Sequence, residues 1–286
     1  MSIYFERVTI IGVGLLGASL GLALKARGLA AHVVGVGRRQ VSLDEAVRAG
    51  AVDETSFDAA DAARGASLVV IATPAALVCP KLDEVRPALE PDVLVTDVAS
   101  TKQMICAHAA RLWPRNRRFV GSHPMAGSEK FGPQHGRPGF YEDSVCLVED
   151  SPDIEPAARE HVTALWRAVG ARVTPIEPAR HDALLARTSH IPHVAASALA
   201  AVAAARGDVR EMIGNGFRDA TRIAASRPEV WRDICTTNRE AILDGLAEFR
   251  GSLDVFARAL EQGDGEAVQA FFEAGNRGRR RVVDDA

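Results

Sequence analysis

The chain has 286 residues, 47% of them apolar and 25% charged, with a formal net charge of −3. That is too apolar for a disordered segment and long enough for two modest cores. The near-balanced charge argues against a general nucleic-acid binder, which carries a marked basic excess.

In chain order, residues 7–11 form a short β-branched run that stops at Gly12, and apolar residues recur at helical spacing over 15–27. Residues 32–36 read as a second strand, and further short apolar runs follow at 67–72, 93–97, 118–121, 144–148 and 171–176. Helical segments separate several of them, including one at 153–169 with Ser151 and Asp153 near its start and Gly170 at its end. Strands alternating with helices predict an α/β fold with a mostly parallel sheet covered on both faces. After Pro178 the strand signal stops. Residues 179–206, 208–218, 228–249, 252–262 and 264–280 read as helix, with breaks near Gly207, Pro228, Gly251 and Gly263. The composition shift sets a boundary between a dinucleotide-binding domain at 1–176 and an all-helical substrate and dimerisation domain at 177–286. An Ala-rich helical half of this kind buries its surplus apolar face against a second copy, so a homodimer is expected.

Residues 188–205 contain no Lys, Arg, Asp or Glu. His190, Pro192, His193 and Ser197 interrupt that stretch and most of the rest is Ala, so it reads as a buried interface helix and not a membrane span. Near the N-terminus, Glu6 and Arg7 stand where a signal peptide needs an apolar run. Cys79, Cys106, Cys146 and Cys235 lie far apart with no CxxC, which gives neither zinc spacing nor a disulfide framework. A cytoplasmic protein with no metal, no membrane and no nucleic-acid partner is expected.

Gly12-Val13-Gly14-Leu15-Leu16-Gly17 is a G-x-G-x-x-G pattern placed after the first strand and at the opening of the first helix, the context its mechanism needs. Gly12 permits the tight turn, Gly14 lets the backbone approach a pyrophosphate, and Gly17 lets helix and strand pack closely. The phosphates then sit at the positive end of the helix, with Leu15 and Leu16 in its first turn. This makes the first domain Rossmann-like. The alternative is a glycine turn with no ligand. No carboxylate follows the second strand to hold a ribose 2′-hydroxyl. Arg38 and Arg39 stand there instead and suit a 2′-phosphate, so NADP is favoured over NAD. The alternative is a solvated loop.

Two further segments fall where strands end: Asp97-Val-Ala-Ser100-Thr-Lys102, and Gly121-Ser-His123-Pro-Met-Ala-Gly-Ser-Glu129-Lys130. Ligands of α/β folds bind at that edge. With Ser189-His-Ile-Pro-His193, Thr221-Arg222-Ile-Ala and Pro228-Glu-Val-Trp231 in register behind them, the chain resembles the prephenate/arogenate dehydrogenase family of tyrosine biosynthesis over nearly its whole length. The resemblance implies oxidative decarboxylation of a cyclohexadienol: a C4 hydride passes to the nicotinamide and the ring carboxylate leaves as carbon dioxide. A small-molecule substrate with two carboxylates is therefore expected.

The residues suit that chemistry. An imidazole accepts a proton near neutral pH, and the resemblance assigns that task to His123; the alternative is a loop histidine before a proline. Ser100 can bond the same hydroxyl, orient His123, or cap a helix beginning near residue 101. Arg222 offers a two-donor fork for a carboxylate, against an ion pair with Asp219 or Glu229. His193 and Trp231 are candidate pocket residues, and packing is the alternative for each. His190 and His193 invite a metal reading but lack a third ligand. The resemblance places Glu129 in a loop that shapes the substrate site; Phe131 and His135 depart from the family's pattern there. Two other readings stand beside this one. A β-hydroxyacid dehydrogenase or imine reductase shares the layout, but residues 178–286 contain no lysine for the lysine-dependent version. A non-catalytic dinucleotide-sensing dimer leaves the segment around His123 without a purpose.

Overall fold

The computed structural model describes residues 3–128, 130–207 and 209–284. The chain divides into two units, Met1–Arg239 and Glu240–Ala286.

The first unit begins with β1 (Phe5–Ile11), α1 (Leu15–Ala26), β2 (Ala30–Val36), α2 (Gln40–Arg48), β3 (Glu54–Ser56), α3 (Ala59–Ala63), β4 (Leu68–Ile71), α4 (Val78–Val85), β5 (Leu94–Asp97), α5 (Gln103–Leu112) and β6 (Phe119–Val120). The six strands form one parallel sheet in the order β3-β2-β1-β4-β5-β6. The period of two along each strand feeds two cores. In β1, Val8 and Ile10 join one apolar cluster and Ile11 the other; in β4, Leu68 and Val70 oppose Val69 and Ile71. Burial on both faces explains why these strands read as continuous apolar runs.

The predicted strand at 118–121 is two strands. The chain leaves the large sheet at Gly121 and enters a second sheet as β7 (Ser122–Pro124), which pairs antiparallel with β8 (Val145–Glu149). After α6 (Pro156–Ala168), β9 (Arg172–Ile176) pairs parallel with β8. A Cβ at Gly121 would lie 2.8 Å from Cys106 Sγ, so the crossing point takes no side chain without a shift. This three-stranded sheet was not anticipated, because sequence patterns give strand existence and not strand pairing.

Four helix boundaries also differ from expectation. The α6 helix opens at Pro156, whose missing N–H costs nothing at a helix start. Ser151 and Asp153 are instead committed to Glu149 and Arg117. The stretch 179–206 is α7 (Pro178–Leu185), a π-helical turn at Ala186–His190, and α8 (Ile191–Ala204). The stretch 208–218 gives a 3-10 turn at Arg210–Met212 and then α9 (Asn215–Thr221). The stretch 228–249 breaks at Asn238 into α10 (Pro228–Thr237) and α11 (Arg239–Glu261). The Asn238 side-chain amide is taken by Asp182 O and His190 Nδ1.

In the second unit, α11 runs unbroken through Gly251, since each helical glycine costs only about 1 kcal/mol. It turns at Gly263, in the left-handed region at φ 64, into α12 (Gly265–Arg279), capped by Asp264. Phe256 packs on Phe271 at 4.9 Å between ring centroids. Among the described residues, no helix is long and apolar enough to cross a membrane.

Candidate active site

The glycine loop joins β1 to α1 at the carboxyl edge of the large sheet. Gly12 has φ 105, and a Cβ there would stand 2.6 Å from Ala72 O. A Cβ at Gly17 would stand 2.1 Å from Gly12 O, so loop and helix touch through bare backbone. A Cβ at Gly14 would meet open space. Gly14 is the N-cap and no side chain caps α1, which leaves its first N–H groups available to an anion. Tyr141 steadies this turn: its hydroxyl donates to Leu16 O at 2.7 Å, and its ring meets buried Trp166 edge-on. The loop lines a cleft of about 800 Å³ together with Leu15, Leu16, Arg38, Arg39 and Ser100. Such a cradle fits a dinucleotide: the one glycine facing open space lies at the helix N-terminus, and two guanidinium-bearing residues stand beyond it.

Ser100 does not cap a helix. The α5 helix starts at Gln103, and Asp182 from α7 caps it instead, accepting the N–H groups of Lys102 at 2.7 Å and Gln103 at 3.0 Å. Ser100 stands at the cleft beside Val98 and Ala99.

His123 stands on β7, three residues before Ala126 of the cleft lining. It is 7% exposed and is not itself among the lining residues. Its strand is pinned from below: Ser122 N donates to Asp97 Oδ1 at 3.0 Å, and the buried Lys102 ammonium holds the other oxygen of Asp97. The His123 ring meets His181 of α7, Nδ1 to Nε2 at 2.9 Å, and His181 Nδ1 lies 2.7 Å from Asp182 Oδ1. Burial holds His123 well below the ordinary histidine value, and charges on His181, Lys102 and His190 act in the same direction. His123 is therefore a neutral imidazole at neutral pH, the form that accepts a proton.

Sequence reasoning missed His181 and Asp182. The one signal was an adjacent His-Asp pair just after Pro178, and nothing local says that its partner lies 58 residues upstream.

The α10 helix carries two faces. Val230, Asp233 and Ile234 line the large cleft, while Pro228, Trp231 and Cys235 line a second cavity of about 500 Å³. His193 shares that second cavity, stacked on Trp231 at 3.7 Å, with Nδ1 against Ser189 O at 2.8 Å. Burial depresses the His193 pKa, and Arg222 adds to it. Arg222 is exposed, and Glu229 pairs with Arg227 instead. The Arg227 guanidinium lies over the Phe131 ring at 5.3 Å, across the cleft mouth. His190 lies 6.0 Å from Trp231 between ring centroids, and its buried Nε2 finds no hydrogen-bond partner among the described residues. Glu129 lies outside the described residues. Of the sequence candidates, Gly12, Gly14, Leu15, Leu16, Arg38, Arg39 and Ser100 line one cavity and His193 and Trp231 the other, while Gly17, His123 and Arg222 line neither. No cluster of three or more metal-ligating side chains occurs among the described residues.

Comparison with known proteins adds names to this geometry. Residues 20–175 match the family model of the prephenate dehydrogenase nucleotide-binding domain, and residues 177–274 match that of the prephenate dehydrogenase dimerization domain. The chain is 30% identical to the cyclohexadienyl dehydrogenase of Zymomonas mobilis over 98% of this chain and 97% of that protein. It is similar to the crystal structure of prephenate dehydrogenase from A. aeolicus in complex with hydroxyphenyl propionate and NAD+, with a TM-score of 0.91, 27% identity, and 99% and 100% of the two chains covered. Against the Synechocystis arogenate dehydrogenase the TM-score is 0.83 at 28% identity, covering 97% and 100%.

Proposed function

The chain belongs to the prephenate dehydrogenase family, and from that premise we propose that it oxidatively decarboxylates prephenate, or arogenate, with hydride transfer to NAD(P)+. The products are 4-hydroxyphenylpyruvate, or tyrosine. The observation that carries the reading is a neutral, buried His123 on β7, three residues before Ala126 of the cleft that the open Gly14 also lines. The cofactor, when bound, supplies the acceptor for the C4 hydride. His123 takes the ring hydroxyl proton and returns it to the phenolate oxygen once the ring carboxylate has left as carbon dioxide, so charge and protons balance. Ser100 bonds the same hydroxyl from the cleft wall. Arg222, His193, Trp231 and Glu129 form the substrate end, with the Arg222 guanidinium as the carboxylate clamp. Gly12, Gly14, Leu15, Leu16 and Gly17 hold the pyrophosphate.

Arg38 and Arg39 favour NADP over NAD through the 2′-phosphate. Prephenate is the default substrate, and an acid at the substrate end would favour arogenate through its ammonium group. The domains divide at 176/177, and the chain pairs as a homodimer through its helical part. Support for the pairing comes from α8, whose second half exposes Leu199 and Val202 on an Ala-rich face. Free Cys79, Cys106, Cys146 and Cys235 fit a reducing cytoplasm.

The test is a grid of two substrates and two cofactors followed at the nicotinamide absorbance. Turnover in at least one pair is expected, and silence in all four overturns the reading and leaves a dinucleotide-holding protein.

A further inference from the structure

We propose that His181 and Asp182 are positioning residues that fix the His123 ring with its proton on Nδ1, leaving Nε2 as the acceptor for the substrate hydroxyl. This rests on His123 being the base of the reaction proposed above. The argument runs outward from the carboxylate. Both oxygens of Asp182 accept backbone N–H groups, from Lys102 at 2.7 Å and Gln103 at 3.0 Å, where α5 begins. Two donors at the positive end of a helix call for an acceptor-only carboxylate. His181 Nδ1, 2.7 Å from Oδ1, must then be the donor of that pair. Burial keeps His181 below its ordinary value and so neutral, and a neutral ring with Nδ1 protonated has a lone pair on Nε2. That nitrogen lies 2.9 Å from His123 Nδ1, so His123 must donate in turn. One tautomer remains for His123, and it frees Nε2. Asn238 braces the arrangement from behind, donating to Asp182 O at 2.9 Å.

The chain also has a task during turnover. As the substrate O–H bond breaks and the Nε2–H bond forms, His123 becomes an imidazolium. Its Nδ1–H already points at His181, whose own proton points at an ionised Asp182, so the positive charge arises against an oriented pair of dipoles ending in a negative charge. No proton needs to leave His181 for this to work.

Asp182→Asn leaves a neutral amide whose oxygen keeps the place that accepts both Lys102 N–H and His181 Nδ1–H, so the tautomers stand while the negative charge opposite the nascent imidazolium is lost. The expected result is a fall in kcat of roughly 10²- to 10⁴-fold with cofactor Kd unchanged. Ring ¹⁵N spectra should show His123 protonated on Nδ1 both in the wild type and in D182N. Because D182N also alters the cap of α5, two replacements of His181 stand beside it. In H181Q the side-chain carbonyl can accept from His123 Nδ1–H, whereas H181L offers nothing. Turnover in H181Q at least tenfold above H181L is expected, a difference that loss of packing alone does not produce. Wild-type His123 protonated on Nε2, unchanged kcat in D182N, or equal turnover in H181Q and H181L each overturns the inference. The wild-type spectrum decides it even where no substrate is turned over, so its failure and failure of the proposed reaction are told apart.

Discussion

Two parts of the first unit are built in opposite ways. The loop from Gly12 to Gly17 presents backbone: its free groups are the first N–H groups of α1, and its key residues are the ones that lack side chains. The wall around His123 works with side chains: His123, His181, Asp182 and Asn238 come from β7, α7 and the break between α10 and α11. The first device fits within six residues of sequence. The second spans more than a hundred and exists only once three elements have packed. A backbone site tolerates change wherever the glycines are kept, whereas a relay of buried imidazoles fails when any member is moved or recharged.

The largest expected effect falls on the side-chain wall. Replacing His123 with Asn removes the proton acceptor and should lower kcat by roughly 10²- to 10⁴-fold, while cofactor affinity stays within about twofold, as measured by titration of intrinsic fluorescence. Comparable losses in both would mean that the two regions are one device. The same wall should govern acid stability. His123, His181 and His190 all have folded values below 6.5, with burial as the leading cause, and His190 is held down at about 4. The unfolded chain therefore binds protons first as pH falls. The stabilising contribution is complete above 6.5 and is lost progressively from there toward 4. For His190 alone the loss at pH 5 is roughly 2 kcal/mol, an order-of-magnitude figure. Urea midpoints at pH 7 and pH 5 measure it, and a pH-independent midpoint would show that the histidine wall carries no such cost.

Arg222 tests the substrate end. Arg222→Ala should raise the substrate KM by roughly 10- to 100-fold, the value of one or two charge-assisted hydrogen bonds, with cofactor KM unmoved. An unchanged substrate KM would move the clamp to another residue.

What was legible in the sequence follows the same division. Strand and helix alternation, the apolar runs of β1, β4 and β5, and the glycine spacing are local patterns, and each led to the element observed. The second sheet was not legible, because β7 is three residues long and its pairing with β8 is set by tertiary packing. Asp182 was not legible as a helix cap, because it reaches α5 from 80 residues away and fills the role that was the alternative reading of Ser100. Gly251 was misread as a break because a helical glycine without a left-handed φ ends nothing. His193 and Trp231 were legible only as separate candidates; their stacking needs α8 and α10 side by side.

The backbone site can be taken apart with two glycines that look equivalent in the motif. Gly17→Ala places a Cβ 2.1 Å from Gly12 O, so it should lower the melting temperature by several degrees and weaken cofactor binding as a consequence. Gly14→Ala places its Cβ in open space, where only a ligand would meet it. Its melting temperature should stay within about a degree of wild type, while cofactor KM rises about tenfold, near 1.4 kcal/mol. Equal melting temperatures for the two variants would break the account of Gly17, and an unchanged cofactor KM in G14A would remove the pyrophosphate from this turn.

The smallest effect is expected where side chains supplement the backbone site. Arg38 and Arg39 line the same cleft as the glycines, beyond the end of β2, and Arg39 is tethered by a 3.0 Å bond from Nη2 to Ser42 Oγ. Both side chains are exposed, so each gains less from a phosphate than a buried guanidinium would. The loop supplies no carboxylate to reward a free ribose hydroxyl, so removing the arginines should subtract from NADP without adding to NAD. For the double variant R38A/R39A, kcat/KM with NADP should fall about tenfold and with NAD by less than twofold, and the NADP loss should shrink as salt is raised from 50 to 500 mM. A loss shared by both cofactors would make these arginines part of the pyrophosphate site, and their work would then no longer be separable from that of the glycines.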